Sequence, residues 1–278
     1  MAGQPSNDGT FLTWGDTRPR TNRGAVNWPV LVCLLGTFCL MKNGKSVAVR
    51  AGGRTEALLS TLGIRHRQRV PRDVVLCEVW PDADPALSGQ ALNSLVHSLS
   101  KLVGDALKGA PPVVCLQGSY ALNTEAGVGV DIAWFDELAS KGDRQARQEP
   151  GAAISLYLQA IGLYGGDLCI SDDQQAIIER ERLRARYLSL LARAASHYYD
   201  ELKPESCLQL ALQLLEHDPC REDAHRLVMR CHLQLGERAQ ALRHYRLCER
   251  VLRSEFDVAP EPATIALYEQ IRLDPASV

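Results

Sequence analysis

The feature that most limits how this chain can fold is a recurrence of small and bulky residues in its second half. Cys207, Ala211 and Leu214 recur 34 residues later as Ala241, Tyr245 and Cys248, and the same four-then-three spacing stands earlier at Ala153, Tyr157 and Ala160. That spacing puts three side chains on one face of an α-helix. A small residue there lets a second helix cross closely, so the pattern predicts stacked antiparallel helix pairs, each burying its apolar face against the next. Asp218-Pro219 and Gly236 fall at the expected closing and turning positions. The first interval is 54 rather than 34, which predicts about twenty inserted residues, largely the charged helix "QQAIIERERLRARYL".

The spacing is that of the second helix of a tetratricopeptide unit. The front half has a different texture. "VLVCLLGTFCLM" and "SVAVR" are β-rich runs joined by "KNGK", and Asn43-Gly44 between strands signals a hairpin. Three helices are predicted next, at Arg54 to Gly63, Arg72 to Trp80 and Gly89 to Lys108. "PPVVCLQGSYALNT" then predicts a second hairpin around Gln117-Gly118-Ser119. Strands, three helices and a terminal hairpin, in that order, are the layout of a winged helix with an extra N-terminal sheet. The expected architecture is an α+β winged helix-turn-helix domain over 29–125, followed by an all-α tetratricopeptide-like helical repeat domain over 126–278. Residues 1–28, rich in Gly, Pro, Asn, Thr and Ser, read as a flexible tail.

The net charge of −2 hides an asymmetry. Residues 30–125 hold 10 basic and 7 acidic side chains, and 126–278 hold 18 and 24. A basic front and an acidic rear suit one module facing nucleic acid and one facing protein. The nine cysteines are scattered singly, with no C-x-x-C pair, as expected of reduced thiols in a cytoplasmic protein. His217, Cys220, His225, Cys231 and His232 lack the paired spacing of a structural zinc site, so no metal or other cofactor is expected. Arg18, Arg20 and Arg23 before "WPVLVCLLGTFCLM" imitate a secretory signal. Gly36 interrupts the run and Lys42 stands where small residues would be cleaved, so it reads as buried strand, and no membrane segment is expected. "NGKS" imitates a phosphate loop, but Cys39 replaces the required glycine. No nucleophile elbow or acid/base pair is present, so an enzyme is not expected.

In order, "LLGTFCLMKNGKSVAV", "EVWPDADP", "NSLVHSLSKLVGD", "GSYALN", "LYGGDLC", "ERERLRARYL", "EDAHRLVMRCHLQLGERAQALRHY" and "APEPATIALYEQI" resemble the SARP/AfsR-type bacterial transcriptional activators, which join an OmpR-type winged helix to a bacterial transcriptional activator domain. The resemblance covers about residues 30 to 273. It implies activation of transcription: double-stranded promoter DNA bound by the winged helix, with RNA polymerase, another protein or a second copy of the chain contacted by the helical repeats. Val96 and Val103 stand where such proteins usually carry arginine, and Lys101 replaces another. On this reading Asn93, Ser94, His97 and Lys101 face DNA from the third helix. Arg50, Arg54, Arg67 and Arg72 are expected to grip phosphates, and Gln117 and Ser119 to sit on the wing. Arg65 and Arg69 share the cationic stretch, and Tyr120 reads as core. The alternative expectation is a protein-interaction scaffold whose winged helix no longer binds DNA strongly.

Overall fold

The structure, a computed structural model, describes residues 28–82, 85–168 and 174–275, without the side chains of 85–88. The expected tail lies outside the described residues except for Trp28, whose indole packs against Gly129. An α+β winged-helix region is followed by seven helices, the order of domains that the sequence predicts.

The first apolar run is two strands rather than one. Strands β1 (Val30–Cys33) and β2 (Cys39–Lys42) pair antiparallel, and β3 (Lys45–Val47) follows through the Asn43-Gly44 turn. The break falls at Gly36, whose φ of +98° suits glycine and whose missing Cβ leaves room for Gly165. Next come α1 (Arg54–Ile64), the short β4 (Val70–Pro71), α2 (Arg72–Val79), α3 (Pro85–Val103), β5 (Val113–Leu116) and β6 (Ser119–Leu122). Helix α3 starts earlier and stops sooner than expected. Its predicted end at Lys108 gives way to tight turns, in which Ala106 and Leu107 donate to the carbonyls of Val103 and Gly104. Strand β7 (Val128–Val130) pairs parallel with β1, giving the first sheet the order β3-β2-β1-β7; the second is β4-β6-β5.

The helices α4 (Asp131–Gln145) and α5 (Pro150–Leu163), α6 (Gln174–Asp200) and α7 (Pro204–His217), and α8 (Glu222–Gln234) and α9 (Arg238–Phe256) form three antiparallel pairs, closed by α10 (Pro262–Leu273). Each of the three signature sets sits on the second helix of its pair. Ala153, Tyr157, Ala160, Cys207, Ala211, Leu214, Ala241 and Cys248 are all buried, and Tyr245 stacks on Tyr268 with ring centroids 4.1 Å apart. Small residues admit the close crossing on the partner helix too: a Cβ at Gly142 of α4 would collide with the Tyr157 ring. The extra residues of the first interval lengthen α6 to 27 residues, twice α8 with its 13, and the charged stretch forms its N-terminal half.

One apolar core runs from the winged helix through the first two helix pairs into α8; a smaller one joins Met229, Ala241, Leu267 and Ile271. Where the halves meet, Asp131 at the start of α4 is buried, its Oδ2 accepting from the backbone N–H groups of Leu34 (2.8 Å) and Leu35 (2.9 Å). Among the described residues no helix is long and apolar enough to cross a membrane.

Candidate nucleic-acid interface

Leu92, Leu99 and Val103 bury one side of α3, and the helical period then forces Gln90, Asn93, Ser94, His97, Ser98 and Lys101 into solvent on the other. Asn93, Ser94, His97 and Lys101 are therefore brought onto one stripe, and Gln90 and Ser98, not singled out from the sequence, complete it. Their signal was the same periodicity. The Ser94 hydroxyl donates to the Gln90 carbonyl at 3.1 Å and that of Ser98 to the Ser94 carbonyl at 2.9 Å. Both hydroxyls thus keep acceptor lone pairs toward solvent while their protons are engaged. Val103 is fully buried, so the arginine expected at its position in related proteins would have no outward face here. Lys42 holds the end of α3, its Nζ 3.2 Å from the Leu102 carbonyl oxygen and 2.7 Å from Asp105. That contact draws the exposed Asp105 carboxyl below its ordinary range.

The wing turn, Gln117-Gly118, has φ of +50° and +74°, the double left-handed geometry that joins two strands tightly. Its Gly118 carbonyl accepts from the Arg72 backbone N–H at 3.0 Å, which fastens the wing to the first residue of α2. Arg72, Gln117 and Ser119 line one open depression with Pro71, Asp73 and Leu76. The Arg72 guanidinium reaches α3, where it occupies the space that a Cβ on Gly89 would take. Arg72 is thus an exposed cation shared by α2, α3 and the wing. Tyr120 is buried behind them.

The other arginines are dispersed. Arg54 lies over the Trp80 ring at 5.3 Å, near the end of α2, and exposed Arg50 precedes α1, its carbonyl accepting from Gly53 N–H. Arg69 is exposed. Arg67, expected among the phosphate contacts, instead meets Asp136 of α4 at 2.5 Å, and Arg182 of α6 closes on the same carboxylate at 2.8 and 2.9 Å. Arg65 is buried, with Gln175 at 3.0 Å and Glu78 at 3.6 Å. Two of the three arginines of "RHRQR" thus tie the winged helix to the repeats, a use that the stretch itself does not reveal.

The histidines of the repeat region are engaged in pairs or with neighbouring groups of the fold. His225 donates from Nε2 to the Pro219 carbonyl at 2.8 Å, so its Nδ1, 2.9 Å away, accepts from His244 Nε2. His232 meets Glu237, and His217 stands edge-on to Tyr187. Burial pushes His225 below its ordinary range and His244 down to about 3, so the pair is neutral. Among the described residues no group of three or more such side chains is arranged for a metal.

A family profile described as the bacterial transcriptional activator domain matches residues 130–272. The chain is 25% identical over 247 residues to the regulatory protein AfsR of Streptomyces coelicolor, covering 87% of this chain and 24% of that protein. It is 24% identical over 237 residues to AfsR of Streptomyces griseus, covering 82% and 23%. It thus spans about a quarter of the length of these curated relatives. Its fold resembles that of Mycobacterium tuberculosis EmbR, solved in complex with a low affinity phosphopeptide, with a TM-score of 0.69, 20% identity, and coverage of 90% of this chain and 68% of that one. Because the profile spans more than half of the 278 residues, across all seven helices of the repeat region, the chain belongs to the bacterial transcriptional activator domain family, whose SARP-type regulators it resembles along its length.

Proposed function

We propose that this protein is a transcriptional regulator, an activator, that binds promoter DNA through α3 and the wing and contacts RNA polymerase or another protein through its helical repeats. The observation that carries the reading is the stripe from Gln90 to Lys101, six polar side chains turned to solvent beside a wing fastened to α2. Asn93 has the bidentate amide that suits adenine edges, and His97 and the serine oxygens offer further hydrogen bonds. Lys101 and Arg72 supply phosphate contacts. With one cation in the stripe, a single copy binds weakly, so two copies on paired half-sites are part of the proposal.

The test is fluorescence anisotropy with duplexes from the gene's own neighbourhood, at low and then physiological salt. Selective binding to some duplexes is expected. Lys101→Ala weakens binding to all of them and reduces the salt slope by about 0.9, whereas Asn93→Ala changes the ranking among them. If both variants bind as wild type does, α3 is not the reading helix. Equal, weak binding to every duplex would favour the second reading, a protein-interaction scaffold, which the scarcity of cations on α3 supports.

A further inference from the structure

Helix α9 carries Arg243, Arg246, Arg250 and Arg253, all exposed. At about 100° per residue they share one band with Ala239, Gln240, Leu247 and Ser254, extending about 15 Å along the axis. Among the described residues none of the four meets a carboxylate: Arg243 donates to Gln240 at 3.2 Å, and Arg250 Nε reaches the Arg246 carbonyl at 3.4 Å. Glu249 and Glu255 lie on the flanks of the band, the first toward Tyr245, the second toward Cys220.

Like charges three and four residues apart oppose helix formation. Here they gather in a segment with 24 acidic and only 18 basic side chains, where carboxylates to separate them were plentiful. All of α9's cations other than histidine are arginines, whose planar fork pairs bidentately with carboxylates or phosphates. Leu247, 41% exposed inside the band, decides between the two. A phosphate backbone offers it nothing, whereas a protein segment can cover it. Position agrees, because α9 packs on α8 and α10 around the small core, while the winged helix packs on α4 and the start of α6.

We infer that the α9 band is the docking site for an acidic amphipathic protein segment, with carboxylates a helical turn apart and an apolar side chain over Leu247. The inference rests on the reading of the repeats as the partner-contacting half and does not require α3 to bind DNA. Its test uses the full chain and three labelled probes: a synthetic helical peptide with glutamates every third or fourth position around leucine, a scrambled peptide of the same composition, and a random DNA duplex. The patterned peptide is expected to bind about tenfold tighter than the scramble. Arg246→Glu with Arg250→Glu abolishes that binding, Leu247→Ala weakens it about threefold, and neither alters binding of the random duplex. The neutral pair Arg246→Gln and Arg250→Gln repeats the test with less disturbance of the helix. Equal binding of the two peptides, no binding of the patterned one, or loss of duplex binding in the arginine variants would overturn the proposal, the last revealing a DNA surface. A chain that fails to bind promoter DNA but takes the patterned peptide would sink only the reading of α3.

Discussion

Helices α3 and α9 both turn a polar face to solvent, on opposite plans. The α3 stripe has one lysine among six side chains, although it lies in the basic front segment; the α9 band has four arginines and no carboxylate, although it lies in the acidic rear. The net charge of a segment therefore does not locate its cationic surface. Hydrogen-bonding variety with little charge favours discrimination over affinity, whereas clustered charge favours affinity and leaves discrimination to its spacing and to the apolar side chain within it. The helices also differ in how they are held: α3 is sunk in the large core through Leu92, Leu99 and Val103, and α9 contributes Ala241 to the small one.

The two faces share one frame, and Asp131 at the junction holds it together. Its Oδ2 caps two buried N–H groups across the junction, while Oδ1 is buried without a partner among the described residues. Asp131→Ala strands both donors, at about 1–3 kcal/mol each, so urea unfolding should show a loss of about 2–6 kcal/mol. Burial raises the carboxyl from 3.8 to about 7, outweighing the hydrogen bonds that lower it. The folded chain therefore holds this proton more tightly than the unfolded one. Its contribution to stability is complete below pH 3.8 and declines as pH rises through about 7. Asp131→Asn, which keeps the acceptor, should flatten that decline. Parallel pH profiles for wild type and Asp131→Asn would refute the assignment.

What the sequence made legible was local. The four-then-three spacings put Ala153, Cys207 and Ala241 on second helices because helical period and close crossing act over single turns. Asn43-Gly44 and Gln117-Gly118 declared their turns through backbone conformation alone. The pairing of β7 with β1 was not legible, because nothing in "VGV" states which distant strand it meets. Nor was the break at Gly36, which depends on contact with Gly165, or the use of Arg67, whose partner is 69 residues away. The α3 stripe could be read from periodicity. Burial of Val103 depended on tertiary packing, and with it the meaning of a missing arginine.

Arg67 is a cation of the front segment already given to the repeats. Asp136 is 14% exposed and holds both Arg67 and Arg182, so Asp136→Ala should cost about 1–3 kcal/mol by taking away one of the two carboxylates that Arg182 grips, leaving it Glu179 alone. Arg67 is 64% exposed, and Arg67→Ala should cost less than about 1 kcal/mol. Neither change should weaken DNA binding as Lys101→Ala does. An Arg67→Ala variant that lost as much DNA affinity as Lys101→Ala would return Arg67 to the phosphate contacts and make the cationic front less sparse than it looks.

The two faces also differ in how strongly their own charges repel. Arg246 has Arg243 three residues before it and Arg250 four after, and each like-charged pair opposes the helix by about 0.2–0.5 kcal/mol. Arg246→Gln removes both pairs together with the attraction to Glu249 three residues on, so thermal melts at low salt should show a net gain of about 0.2–0.5 kcal/mol. The gain should shrink as salt rises from about 0.1 M to about 1 M, where the screening length falls from about 10 Å to about 3 Å, below the spacing of the pairs. Lys101→Gln on α3 should produce no such gain, since the residues three and four positions away are His97, Ser98, Gly104 and Asp105, with no Lys or Arg among them. A gain for Arg246→Gln alone means that α9 carries an uncompensated charge in the free protein, which is the state a carboxylate-bearing partner relieves. No gain at low salt would mean that nearby acids already neutralise the band, and α9 would then resemble α3 in having little charge to offer.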